Sequence, residues 1–216
     1  MGLFDWFKPD PRYTRFDDAF ALNRPALWNA IKQTVESQAD KPIWLVAHFV
    51  DTFSELQGQL DLWQVDYEVV AQPIDPNRVE RSGLLSESTL KLVLAELIPE
   101  VDPSLTNSGL NQTLVMMVVE RHPQVTYDQR LDSFARSAPM RVEYGYFLSL
   151  EDDVVKLIVN ETALKVLKQL GMNEHELITS HMVTSRMNKV LGRMSDTFVS
   201  DRPADSAKQW LDENSH

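Results

Sequence analysis

Apolar residues in this 216-residue chain first recur at Leu27, Ile31 and Val35, the one-face spacing of a helix. Pro25 suits a first helical turn, where its missing N–H has no partner to lose. The spacing therefore predicts a helix from Pro25 to about Gln38, ended by Asp40-Lys41-Pro42. Ile43 to Phe49 (IWLVAHF) is then a nearly continuous apolar run, of the kind shown by strands buried on both faces of a parallel sheet. Phe53, Leu56, Leu60 and Trp63 return to helical spacing, and Tyr67 to Val70 resumes a strand. This is a β-α-β unit, whose crossover makes the two strands parallel and right-handed.

Gln72 to Ser88 is rich in Pro and polar residues and reads as a connection with room for one short helix. Leu90 to Ile98 and Leu114 to Val119 are further buried-strand candidates, although Leu90, Val93, Leu94 and Leu97 also fit a helix. Pro99 to Gln112 between them has the composition of a loop. Tyr127 to Ser137 is predicted helical. Arg141 to Leu148 is predicted as a strand, with Val142, Tyr144 and Tyr146 on one side. Beyond Asp152 three helical pieces are expected: about Asp153 to Val159, Glu161 to Leu170 stopped by Gly171, and Asn173 to about Met194. Asn173 and Glu176 resemble a capping box. Val183, Met187, Val190, Leu191 and Met194 form one apolar stripe of the last helix, a pattern that core packing explains. The sequence contains no internal repeat. The expected organisation is an N-terminal segment over 1–11, an α/β domain over 12–160, a helical extension over 161–194, and a flexible tail over 195–216 with at most a short helix around Ala207 to Leu211.

Composition narrows the function. With 43% hydrophobic residues the chain supports one substantial core. A net charge of -11 opposes binding to a phosphate backbone, so no nucleic-acid partner is expected. The absence of cysteine excludes disulfides, thiolate catalysis and Cys-based metal sites, and fits a cytoplasmic protein. No apolar run approaches the roughly 18 residues of a membrane span, and the start lacks a secretory core, so a soluble protein is expected. Leu3, Phe4, Trp6 and Phe7 offer a membrane-surface or partner contact, but so short a segment holds no stable isolated helix, and packing or fraying is the better reading. Trp6 stands where a myristoylation signal needs Ser or Thr.

Catalytic motifs are scarce. The seven glycines lie far apart, so no glycine-rich phosphate loop is present. No histidines are paired four residues apart for metal binding, and there is no G-x-S-x-G elbow. Glu151-Asp152-Asp153 admits a metal-binding reading, but acidic residues at a helix start are ordinarily there for the helix dipole. No cofactor, metal or catalytic residue is assigned.

One stretch carries a specific resemblance. Glu120-Arg121-His122, Asp128, Leu131 and Ala135, then Phe147-Leu148-Ser149-Leu150-Glu151-Asp152, align without a gap with the end of the second nucleotide-binding domain of SecA, the bacterial preprotein-translocase motor. That family carries E-R-H, an arginine- and glycine-rich helix, and F-L-S-L-E-D. The resemblance extends to Ser54-Glu55 in the β-α-β unit and to Leu170-Gly171-Met172, Glu174, Glu176, Ile178, Val183 and Thr184. It implies a RecA-like α/β fold, a mostly parallel sheet with helices on both faces, followed by the start of a helical scaffold. In the motor, nucleotide lies between two such domains, the first supplying the phosphate loop.

The chain departs from the family where the chemistry resides. Asp132, Phe134 and Ser137 occupy the three arginine positions, and Ser133 and Arg136 the glycine positions. Arg130 and Arg136 each lie one place from a motif arginine, about 100° around a helix. Of the glycine loop, at most Asp102 remains within LAELIPEVD. The resemblance therefore implies a degenerate nucleotide site and no autonomous ATPase. Two readings follow: a non-catalytic module that contacts a protein partner, linked to translocation, or half of a split ATPase completed by another chain carrying the phosphate loop. Structural or interaction candidates are Glu120, Arg121, His122, Asp128, Arg130, Phe134 and Arg136. A functional reading pairs Arg121 with Asp128 across the strand-helix turn and leaves His122 as a proton donor or acceptor, but the better reading is that these residues satisfy buried backbone groups and fix the helix entry angle. Phe134 is expected either in the core or, since no second domain is encoded, on a partner-facing surface.

Overall fold

A computed structural model describes residues 13–75, 90–100, 110–159 and 177–215. Its eight strands are β1 (Tyr13–Arg15), β2 (Ala19–Ala21), β3 (Ile43–Ala47), β4 (Glu68–Val70), β5 (Leu90–Leu94), β6 (Leu110–Val118), β7 (Met140–Ser149) and β8 (Ile178–Thr179). They form one sheet in the order β4-β5-β3-β6-β7-β2-β8, with β1 also on β7. Every pairing is parallel except β2 with β8. The helices are α1 (Arg24–Ser37), α2 (Val50–Trp63), α3 (Val125–Ser137), α4 (Asp153–Lys156), α5 (His181–Ser195) and α6 (Ala207–Asn214). This is a mostly parallel α/β architecture with helices on both faces of the sheet.

The alternation of side chains along β3 divides the core into two layers. Ile43, Leu45 and Ala47 pack with Leu27 and Ile31 of α1 and with Leu56 and Leu60 of α2. Trp44 and Val46 face the opposite layer, with Leu131 and Phe134 of α3 and Met187 and Leu191 of α5. All five β3 residues are buried, as the continuous apolar run requires. Strands β3 and β4 are parallel, but β5 lies between them. β5 ends in a single 3₁₀ turn, Ala95–Leu97, so the ambiguous run is a strand.

Three sequence expectations change. No strand was foreseen at residues 13–21, where two three-residue strands line the edge of β7. Between their registers Phe16, Asp17 and Asp18 stand opposite only Gly145 and Tyr146, a bulge that turns Asp18 inward. A Cβ on Gly145 would meet the Phe16 Cβ at 3.3 Å, so the close crossing favours glycine there. The last long helix begins at His181, not Asn173, because Ile178–Thr179 pairs with β2. The segment after Ser195 is packed on the domain: α6 extends to Asn214, and Trp210 and Asn214 are buried. A lone tryptophan in a polar stretch gives too little periodicity to signal this. The expected elements at 72–88, 99–112 and 161–176, the proposed capping box and the N-terminal segment lie wholly or mostly outside the described residues.

Candidate functional site

The chain leaves β3 into α2 on one face and leaves β6 towards α3 on the other. The carboxyl ends of these adjacent strands thus form the topological switch point of the sheet, where open α/β folds place their crevice. Glu120, Arg121 and His122 directly follow β6 and converge there with His48, at the end of β3.

Glu120 turns towards the start of α2. Its Oε1 accepts the backbone N–H groups of His48 (2.9 Å) and Phe49 (3.0 Å), and Thr52 Oγ1 donates to its Oε2 (2.8 Å). Phe49, at the N-cap of α2, has no side chain capable of this. Glu120 therefore caps the helix from a distance, taking the position an anion takes at a helix start. Burial pushes its carboxyl up to about 8, against the pull of the Thr52 and Phe49 hydrogen bonds.

Arg121 turns the other way. Its Nε and Nη2 donate to Asp18 Oδ2 (3.2 and 2.6 Å), Nη1 donates to Asp128 Oδ2 (2.8 Å), and Nη2 also reaches Asn188 Oδ1 (3.0 Å). The guanidinium lies 3.7 Å from the centroid of the Tyr146 ring. The pairing with Asp128 is present, and Asp18, on the N-terminal bulge, is the second buried carboxylate. Burial would raise Asp128, yet the charge of Arg121 and the contact with His48 Nε2 at 3.0 Å hold it down at about 2. Asp18 moves the other way, because burial outweighs its share of Arg121. The network ties β6, the β1–β2 bulge, α3 and α5 together.

His122 is buried against Tyr127 (centroids 3.9 Å apart) and Phe49 (5.0 Å), with Trp210 of α6 edge-on at 5.1 Å. Burial and the neighbouring His48 push its imidazole down to about 3, so it is neutral at physiological pH. Its Nδ1 accepts the N–H of Gln124 at 3.0 Å.

The remaining candidates lie apart from this cluster. Phe134 is fully buried and stacks on Trp44 at 5.5 Å, so a partner-facing role for it is corrected to core packing. Asp132 hydrogen-bonds the Tyr13 hydroxyl and accepts from Arg136 Nε at 2.7 Å, while the Arg136 guanidinium covers the Tyr13 ring at 4.3 Å. Arg130 donates to the Ile98 carbonyl at 3.3 Å. In the acidic stretch, Glu151 Oε2 accepts the Arg24 N–H at the start of α1 (3.0 Å), and Asp152 Oδ2 accepts the Ser149 N–H (2.8 Å). Burial raises Asp152 to about 6 despite nearby Arg24. A cleft of about 170 Å³ beside Glu120 is lined by Arg24, Glu55, Asp152 and Ser206, among others. Among the described residues no acidic or histidine group has metal-binding geometry, and no helix is long and apolar enough to cross a membrane.

Sequence reasoning missed Asp18, Asn188 and Trp210, which come from distant segments and carry no local signal. It noted His48 only as a lone histidine. Its place at the end of a buried parallel strand was the available clue.

No protein-family model matches the chain. Protein translocase subunit SecA of Oleidesulfovibrio alaskensis is 23% identical over 191 residues, covering 82% of this chain and 21% of the relative. The same subunit of Bacteroides fragilis is 22% identical over 180 residues (78% and 16%), and that of Xylella fastidiosa 23% over 208 residues (81% and 23%). The chain is thus similar to SecA over most of its length and spans about a fifth of these relatives. Among solved structures, the C-terminal part of the Fun30 ATPase domain aligns with a TM-score of 0.39 at 9% identity, covering 76% of this chain and 51% of that one.

Proposed function

We propose that this chain is a non-catalytic counterpart of the second nucleotide-binding domain of SecA, which acts through contact with a protein partner in translocation. The observation that carries the reading is what α3 holds at the family's arginine positions. On α3 the positions of the family's arginines hold Asp132, engaged with Tyr13 and Arg136, and Phe134, buried against Trp44. A phosphoryl-transfer site needs cationic groups and free N–H donors aimed at phosphate. At these two α3 positions the described residues offer an acid and a buried ring instead.

Calorimetric titration of the full chain with Mg-ATP tests this. The expected result is neither low-micromolar binding nor hydrolysis, and low-micromolar binding by the chain alone overturns the proposal. Hydrolysis that appears only on adding a separate phosphate-loop chain would select the split-ATPase reading instead.

A further inference from the structure

The cleft of about 170 Å³ beside Glu120 carries more acid than the fold uses. Glu120 caps α2, Glu151 accepts the Arg24 N–H, and Asp153 accepts from Lys156 Nζ at 3.1 Å. Arg121, which also borders the cleft, is engaged by Asp18 and Asp128. That leaves three carboxylates in the lining, Asp51, Glu55 and Asp152, facing one cation, Arg24.

Arg24 does not satisfy them. Its Nε lies 3.3 Å from Asp152 Oδ1 and its Nη1 3.6 Å from Glu55 Oε2, neither aligned as a hydrogen bond, while its guanidinium rests over the Trp28 ring at 5.3 Å. Two buried atoms of opposite polarity are left without hydrogen bonds, side by side in one ion pair: the acceptor Asp152 Oδ1 and the donor Arg24 Nη1. Asp152 is 7% exposed, and its other oxygen is committed to Ser149 N–H. Orphaned buried polar atoms at a cleft call for a partner.

The chemistry of that partner is constrained. A water would serve both atoms but leave the surplus acid uncompensated. Among the described residues no acidic group has metal-binding geometry. A guanidinium pairs best with both oxygens of a carboxylate, and Asp152 offers one. A free amino acid would bring its own carboxylate against Asp51 and Glu55. A lysine side chain carries an ammonium with no carbonyl beside it. The amino terminus of a peptide has both, an ammonium with three donors and, one carbon away, a carbonyl that accepts. We propose that the cleft captures a peptide amino terminus, its ammonium donating to Asp152 Oδ1 with Glu55 and Asp51 around it, and its first carbonyl accepting from Arg24 Nη1. That this terminus belongs to a protein partner rests on the protein-contact reading above; the recognition itself does not.

Calorimetric titration of the full chain with trialanine amide tests the site. The work is done at about pH 7, where Asp152, held up to about 6 by burial, is largely ionised and the peptide's α-ammonium largely charged. Saturable binding is expected, with none for the N-acetylated peptide. Asp152→Asn is expected to weaken binding about tenfold or more, the loss of one charged hydrogen bond. Glu36→Gln, an exposed acid on α1 outside the cleft, is expected to leave it unchanged. Absence of saturable binding at millimolar peptide overturns the proposal, as does equal binding of the acetylated peptide. Equal weakening by Glu36→Gln would reduce the effect to diffuse attraction of cations by an acidic chain, and would overturn it too. Nα-acetyl-lysine amide binding as tightly would overturn the amino-terminal assignment, because the carbonyl would then contribute nothing. Should Asp152→Asn fail to fold, Glu55→Gln removes a half-exposed carboxylate of the same cleft and decides by the same criteria, with a weakening of about threefold. None of these readouts involves nucleotide, so their failure is separable from that of the ATP titration.

Discussion

Arg121 is buried with both of its carboxylate partners, and its deletion would leave Asp18 and Asp128 without their main counter-charge. Stranding buried charge is costlier than losing the attraction itself. Arg121→Ala is therefore expected to destabilise the fold by about 3–5 kcal/mol, read by urea denaturation; an unchanged midpoint would show that the network contributes nothing to stability. Glu120 yields a pH dependence. Its carboxyl, held up to about 8, keeps its proton in the fold where the unfolded group, near 4.5, has lost it. Its contribution therefore makes stability fall as pH rises from about 4.5 to 8. His122 works in the opposite sense: held down at about 3 against 6.5, it lowers stability as pH falls below 6.5. The two oppose each other below pH 6.5, and Glu120 acts alone above it. From pH 6.5 to 8 the loss should reach about 2 kcal/mol, and thermal melts should show Glu120→Gln flattening that slope.

At the scale of elements, the two helices on one face begin in contrasting ways. Asn23 caps α1 locally by accepting Ala26 N–H at 2.9 Å, whereas α2 borrows Glu120 from the turn after β6 and the Asp205 carbonyl from the segment before α6. The start of α2 is thus conditional on the tertiary fold. Helix α3 shows how a family position changes its meaning. Asp128, Leu131 and Ala135 recur on its buried face, and Phe134 joins them in the core against Trp44. Restoring the family residue by Phe134→Arg would place a guanidinium in an apolar cluster against Trp44. The expected outcome is a loss of about 3 kcal/mol or more with no gain in Mg-ATP affinity, checked by melts and calorimetry on the same sample. A stable variant that binds nucleotide would show that α3 still faces a usable site.

For the whole molecule, acidity and topology combine. The chain carries -11 net charge, and Arg121, among its few buried cations, is engaged by carboxylates. Gel-shift titration with duplex DNA at physiological salt is expected to show binding no tighter than about 10⁻⁴ M, the weak end of non-specific association. A sub-micromolar complex would reveal a basic surface that the net charge conceals. The sheet itself is held from both faces, so its long strands β6 and β7 form the centre to which the N-terminal strands and α5 are attached.

What the sequence determined alone were the features that rest on near neighbours. Helices α1, α2 and α3 and strands β3 and β7 follow from periodicity within a dozen residues, and the Arg121–Asp128 pair spans only one strand-helix turn. The family resemblance could be read for the same reason, because ERH and FLSLED are contiguous strings. Tertiary structure alone decided what depends on distant chain segments meeting. Asp18 reaches Arg121 from 103 residues away, Asn188 from 67, and Trp210 seats on His122 from the other end of the chain. The short strands β1, β2 and β8 exist because β7 and β2 offer unpaired edges, and two or three residues carry too little pattern to announce themselves. The fate of Phe134 was settled the same way: helical spacing allowed either surface or core, and Trp44 on β3 supplied the face that buries it.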